Sequence, residues 1–116
     1  MVIIERRRYM SAWLIVRAQV AQADHSAFDT WYRDEHLPDA LKAFGITHAW
    51  RGWSDVEADL HYAFYEFESL ERAREVTSSD AIKGLIAEFD RCWEGRVVRT
   101  REIVGALQSM GTPSGG

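Results

Sequence analysis

The order in which strand and helix patterns follow one another constrains the fold of this chain more than any other feature of its sequence. Four segments alternate in the way that β-strands do, at 9–20, 46–53, 61–68 and 96–107. Helical patterns separate the first strand from the second and the third from the fourth. This order predicts a four-stranded antiparallel sheet with its helices on one face.

The same element order defines the ferredoxin-like βαββαβ class of α+β folds. At 116 residues the chain has the length of one domain, which we expect to occupy residues 9–107. Residues 1–8 are interpreted as an N-terminal extension. Residues 108–116 are rich in Gly, Ser and Pro, so we expect a disordered tail.

The first strand is apolar on one face and mixed on the other, which suggests that both faces are covered. Leu14, Val16, Ala18 and Val20 alternate with Trp13, Ile15 and Arg17. Helices can cover only the first of these two faces, and the second, with Trp50 and Phe64 added, would expose a large apolar patch. A second copy of the chain could bury that patch, so we predict a two-fold symmetric homodimer in which two sheets form a barrel.

The first helical pattern contains the main candidate site. Its helical spacing predicts that four residues share one face: Phe28, Trp31, Tyr32 and Glu35. Pro38 has no N–H and biases Leu37 away from the α region. We therefore predict that the helix ends at His36 or Leu37 and that a short second helix, 39–44, restarts in a new direction, with His36 at the corner.

His36 is the first catalytic candidate, because imidazole is the side chain best suited to proton transfer near neutral pH. The neighbouring Glu35 could orient His36 or shift its pKa. The alternative is structural, with the imidazole capping free carbonyls at the helix end.

His48 and Glu66 are the second candidate, because symmetric pairing of the hairpin places them opposite each other. They could bind a substrate or form a structural contact. Arg17 could bind a carboxylate or phenolate, or form an ion pair with Glu66 or Glu102. The aromatic residues Trp13, Tyr32 and Trp50 could stack on a ligand or belong to the core.

Charge and composition restrict the possible partners. The net charge of −4 argues against nucleic acid, which requires a basic patch. No apolar run is long enough to span a membrane. A single cysteine, Cys92, is typical of a reducing cytoplasm. The four His residues lack the spacing of a metal site. The sequence does not exclude haem binding, because one axial His is enough to ligate the iron.

The segment Trp-Tyr-Arg-Asp-Glu-His-Leu-Pro-Asp at 31–39 resembles the EthD-like branch of the dimeric α+β barrel superfamily. Members of this branch carry an aromatic pair, a Glu-His and a Pro at this place in the first helix. The resemblance implies that His36 reaches toward a cavity between the sheet and the first helix. It also implies a small hydrophobic or aromatic ligand, since relatives catalyse polyketide tailoring, decarboxylation, dehydration, cofactor-free oxygenation or lactone isomerisation.

Three functions follow as hypotheses. The first is an enzyme without a cofactor, in which His36 is the general acid/base and Glu35 or Glu66 adjusts its pKa. In this hypothesis the aromatic side chains of Trp13, Tyr32 and Trp50 stack on the substrate. The second is a non-catalytic binding or accessory protein for an apolar metabolite. The third is a haem-dependent monooxygenase-like protein.

Overall fold

The computed structural model describes residues 11–111, in which four strands and four α-helices follow the predicted order. The elements are β1 Ala12–Val20, α1 His25–Trp31, α2 Leu37–Phe44, β2 Ala49–Trp53, β3 Leu60–Phe67, α3 Leu70–Thr77, α4 Asp80–Trp93 and β4 Val97–Gly105. A single 3-10 turn, Gln22–Asp24, precedes α1, and a π-helical turn, Tyr32–His36, joins α1 to α2.

The sheet is antiparallel throughout, with strand order β2-β3-β1-β4. This is the predicted ferredoxin-like arrangement. The predicted 1–8 extension and the last part of the predicted tail lie outside the described residues. No helix between residues 11 and 111 is long and apolar enough to cross a membrane.

The register assigns every strand residue to one of two faces. On β1, Leu14 lies opposite Tyr65 of β3 and Ile103 of β4, so these three side chains share the face that the helices cover. Trp13 lies opposite Glu66, on the face without helices. We call these the helix face and the open face. The two-residue alternation of the sequence predicted both faces of β1 correctly.

The other helices also follow sequence signals. Ser69 caps α3, since its hydroxyl accepts a hydrogen bond from the backbone N–H of Arg72 at 3.1 Å. Ile82, Phe89 and Trp93 are the buried residues of α4, and their helical spacing places them on one face.

Pro38 does not break the first helix, so the predicted corner at His36 is wrong. His36 and Leu37 both have right-handed helical backbone angles, and α2 begins directly at Leu37. The N–H of Leu37 bonds to the carbonyl of Tyr32, five residues earlier, which defines the π turn. Because this wide turn already departs from the α-helical hydrogen-bond pattern, the missing N–H of Pro38 is tolerated.

The π turn also determines which side chains are buried. Five residues at four-residue spacing are all buried: Phe28, Tyr32, His36, Ala40 and Phe44. In a regular α-helix each step of four residues advances about 40° beyond a full turn, so the last would lie about 160° from the first. The extra residue of the π turn offsets about 100° of that drift. Glu35 is consequently exposed and does not share the face of Phe28 and Tyr32, contrary to the prediction.

Candidate functional site

A cleft lies between the first helix, α4 and the helix face of β1 and β4. The cleft is partly open to solvent. Its walls are mostly aliphatic and aromatic. The polar groups among its lining residues are Tyr32, His36, Tyr65, Arg99 and Arg101. An apolar cleft with a few convergent polar groups is the usual form of a small-molecule site.

His36 lies against the wall of this cleft and is only 9% exposed. Its ring stacks on Trp31 at 4.6 Å between ring centroids, and it makes edge contacts with Tyr32 and Phe89. The Nδ1 atom is buried and has no hydrogen-bond partner among the described residues.

The surroundings of His36 favour the neutral imidazole. Burial, and next to it the positive charge of Arg99, lower the pKa of His36 to about 4, while Glu88 acts in the opposite direction. At neutral pH the ring therefore carries one proton and one free lone pair. It can accept a proton from a bound molecule, although a histidine with such a low pKa is a weak base.

Two tyrosine hydroxyls meet beside His36. The Oη atoms of Tyr32 and Tyr65 are 2.7 Å apart, and either can donate to the other. Burial raises the pKa of Tyr32 to about 12 and that of Tyr65 well above its ordinary value, so both stay protonated. One bond uses only one of the two hydroxyl hydrogens, so the second can be donated to a ligand oxygen.

A buried polar network lies behind the tyrosines. Arg51 donates to the carboxylate of Asp29 at 2.8 Å and to Nε2 of His61 at 3.1 Å, and its guanidinium lies 5.5 Å from the ring centroid of Tyr32. Burial and the charge of Arg51 lower the pKa of His61 to about 4. Burial opposes ionisation of Asp29, but hydrogen bonds from Arg51 and Trp53 together hold the pKa of Asp29 below its usual value.

Sequence reasoning missed Tyr65, His61 and Arg51 as parts of the site region. The available signal was the alternation of β3, which puts His61 and Tyr65 in phase with the apolar Ala63 and Phe67. A histidine in the buried phase of a strand requires a polar partner, and Arg51 is that partner.

Arg99 and Arg101 lie on the helix face of β4, at the edge of the sheet. The guanidinium of Arg99 lies 4.0 Å from the ring centroid of Phe89 and 3.1 Å from the carboxylate of Asp90. Arg17 is on the open face, as the alternation of the first strand predicted.

Five of the predicted site residues lie on the opposite side of the sheet from His36. Trp13, Arg17, Glu66 and Trp50 are on the open face, and His48 immediately precedes β2. Strand alternation separates them from the cleft, because each is out of phase with the residues of the helix face. The structure therefore divides the predicted residues into two groups, and the substrate-binding role of the open-face group stays a prediction.

The predicted pairing of His48 with Glu66 is confirmed as a contact. Nδ1 of His48 is 2.9 Å from a carboxylate oxygen of Glu66, and the hydroxyl of Ser11 donates to the other oxygen at 2.8 Å. The hydrogen bonds from His48 and Ser11 lower the pKa of Glu66, against the opposing effect of burial. Trp13 contacts the His48 ring edge-on at 6.1 Å.

Arg17 forms the ion pair with Glu102 that the sequence allowed, at 3.1 Å. Glu35 makes no hydrogen bond to His36 within the described chain, because it lies on the exposed side of the π turn. The expectation that Glu35 orients His36 is therefore not supported by the geometry.

The donor set around His36 does not fit a haem. A histidine that ligates a metal normally donates its second N–H to an acceptor, which fixes the ring. Nδ1 of His36 is buried without such an acceptor in the described part of the chain. Within residues 11–111, no three His, Cys, Asp or Glu side chains converge as they would around a metal ion.

Solved structures resemble this fold closely. HapK from Hahella chejuensis matches with a TM-score of 0.65 at 11% identity, over 90% of this chain and 99% of that one. An EthD family protein from Bacillus halodurans gives 0.63 at 17% identity, over 80% and 97%. SnoaB, a cofactor-independent oxygenase from Streptomyces nogalater, gives 0.60 at 9% identity, over 88% and 98%.

The sequence itself matches no protein-family model and no curated protein. Identities this low show the fold alone. The chain therefore shares the ferredoxin-like fold of these proteins, and they include an EthD family protein, as the resemblance of the first helix implied.

Proposed function

We propose that this chain is an enzyme that acts on a small hydrophobic or aromatic molecule without a bound cofactor, with His36 as general acid/base. The observation that carries this proposal is a neutral, buried imidazole in the wall of a mostly apolar cleft, beside two protonated tyrosine hydroxyls. The similarity of the fold to a protein described as a cofactor-independent oxygenase supports the proposal that the reaction needs no cofactor.

The proposed step is a proton transfer. The lone pair of neutral His36 accepts a proton from an acidic C–H or O–H of the bound molecule, which leaves an imidazolium and a substrate anion. The free hydroxyl hydrogen of the Tyr32–Tyr65 pair donates to the developing oxyanion. The charge of Arg99 disfavours the imidazolium but favours the anion, and the anion in turn raises the basicity of the ring beside it. Return of the proton to another substrate atom completes an isomerisation.

Hydrogen–deuterium exchange tests this step without knowledge of the natural substrate. β-Tetralone has an acidic C–H next to its carbonyl, and its exchange in deuterium oxide can be followed by proton NMR. A positioned acid/base contributes roughly 10²–10⁴-fold, so His36→Phe should lose that acceleration. Thr30→Ala, an exposed position on the same helix, is the matched control and should keep the rate. A His36→Phe protein with full exchange activity would refute the mechanism.

The second candidate is a binding protein for an apolar metabolite. The low pKa of His36 favours it, because a weak base is a poor general base. In that case the wild type would bind the ligand without accelerating exchange, and His36→Phe would change only the affinity.

The proposal includes a homodimer. Aromatic side chains remain partly exposed on the open face, and Trp50, which is 47% exposed, stacks on Phe64 at 4.0 Å. A second open face would cover them. The proposal also places the protein in the cytoplasm, where the single thiol of Cys92 would stay reduced.

A further inference from the structure

The charges that line the cleft are of one sign. Among the described residues of its wall there are two guanidinium groups, Arg99 and Arg101, and no carboxylate. The chain as a whole carries a net charge of −4, so this is a local reversal of the overall charge. A low-dielectric cleft that presents only cations raises the local concentration of anions.

The two arginines differ in how far their charge is compensated. Arg99 pairs with Asp90 and lies against Phe89, so it is part of the wall. Arg101 is exposed, and no carboxylate in residues 11–111 pairs with it. The next residue, Glu102, is on the open face and pairs with Arg17. The charge of Arg101 is therefore the one in the described wall of the cleft that is available to a ligand.

The position of Arg101 fits one end of an elongated ligand. In the sheet it lies opposite Val16, while Tyr65 lies opposite Leu14, so the two residues are two strands apart on the same face. Strand spacings put their backbones about 12 Å apart. An aromatic ring could lie on the apolar floor between them, with its reactive end at the tyrosines and His36.

We infer that the cleft takes small aromatic carboxylates, with Arg101 binding the carboxylate at the mouth and the ring lying on the apolar floor. A carboxylate is preferred because a guanidinium can bind it through two parallel hydrogen bonds. This inference rests on the proposed function, because it names the substrate class of the same cleft.

Cinnamate and its neutral isostere cinnamamide test the inference by isothermal titration calorimetry. Wild type should bind cinnamate about tenfold more tightly than cinnamamide. Arg101→Met should bring the ratio to about one, and Arg101→Lys should retain part of the preference, since lysine keeps the charge without the bidentate geometry. Arg74→Met, which removes an exposed arginine of α3, is the control and should keep the wild-type ratio.

An unchanged ratio in Arg101→Met would overturn the inference, and so would a failure of cinnamate to bind wild type at millimolar concentration. Circular dichroism confirms that each variant is folded. The measurement is made at equilibrium without turnover, so its outcome is independent of the exchange test of His36.

Discussion

The burial of His36 predicts a specific loss of stability in acid. Folding lowers the pKa of His36 from an ordinary 6.5 to about 4, so between these values the unfolded chain binds a proton that the folded chain does not. The free energy of unfolding is therefore not reduced by His36 above pH 6.5, and it falls as the pH drops from 6.5 toward 4. At 1.36 kcal/mol per pKa unit the loss is about 2 kcal/mol by pH 5 and about 3 kcal/mol by pH 4.

The perturbation is His36→Phe, which keeps an aromatic ring between Trp31 and Phe89 but cannot bind a proton. Urea unfolding, followed by circular dichroism at intervals from pH 7 to pH 4, gives the free energy of unfolding of both proteins. The free energy of unfolding of wild type minus that of the variant should fall by about 2 kcal/mol between pH 7 and pH 5.

Comparison of the two proteins cancels the contributions of titratable groups that do not interact with His36, while the charge of His36 also lowers the pKa values of His61 and Glu88. Ile82→Val, which shortens an apolar residue of the same cleft, is the control. It should cost about 1 kcal/mol at every pH, because nothing titratable is changed. A pH-independent difference between wild type and His36→Phe would show that the histidine is not held neutral by burial, and the reasoning would be refuted.

Two further predictions concern the tyrosine pair and the open face. Tyr65→Phe should lower the free energy of unfolding by about 1–3 kcal/mol, because it leaves the buried hydroxyl of Tyr32 without its partner. The double change Tyr32→Phe with Tyr65→Phe should cost less than the sum of the single changes, and additivity in urea unfolding would contradict the hydrogen bond. Trp50→Glu should shift the proposed homodimer to monomer in size-exclusion chromatography with light scattering; if wild type is already monomeric, the proposed assembly is wrong.

The fold was predictable because its signals are local and repeated. The alternation of Leu14 with Trp13 assigned both faces of the first strand, and the hairpin register placed His48 opposite Glu66, as found. Each of these rests on a period of two residues, which tolerates small errors at the ends of a strand.

The cleft was harder to predict, for two physical reasons. Which residues converge there depends on packing between distant elements, so Arg99 and Arg101 join His36 only in three dimensions. The rule that proline ends a helix also gave the wrong result, because a π turn absorbed Pro38. The signal lay in the four-residue spacing of five buried residues, which a regular helix would spread over about 160°: Phe28, Tyr32, His36, Ala40 and Phe44.

The π turn has a consequence for the ancestry of the chain. It is equivalent to one residue inserted into an ordinary helix. The wide turn accommodates this residue, so the residues that follow keep their orientation around the helix axis. Relatives whose first helix lacks the insertion would be one residue shorter between Trp31 and Ala40. An alignment of this helix should therefore treat α1 and α2 as two blocks with a gap allowed between them.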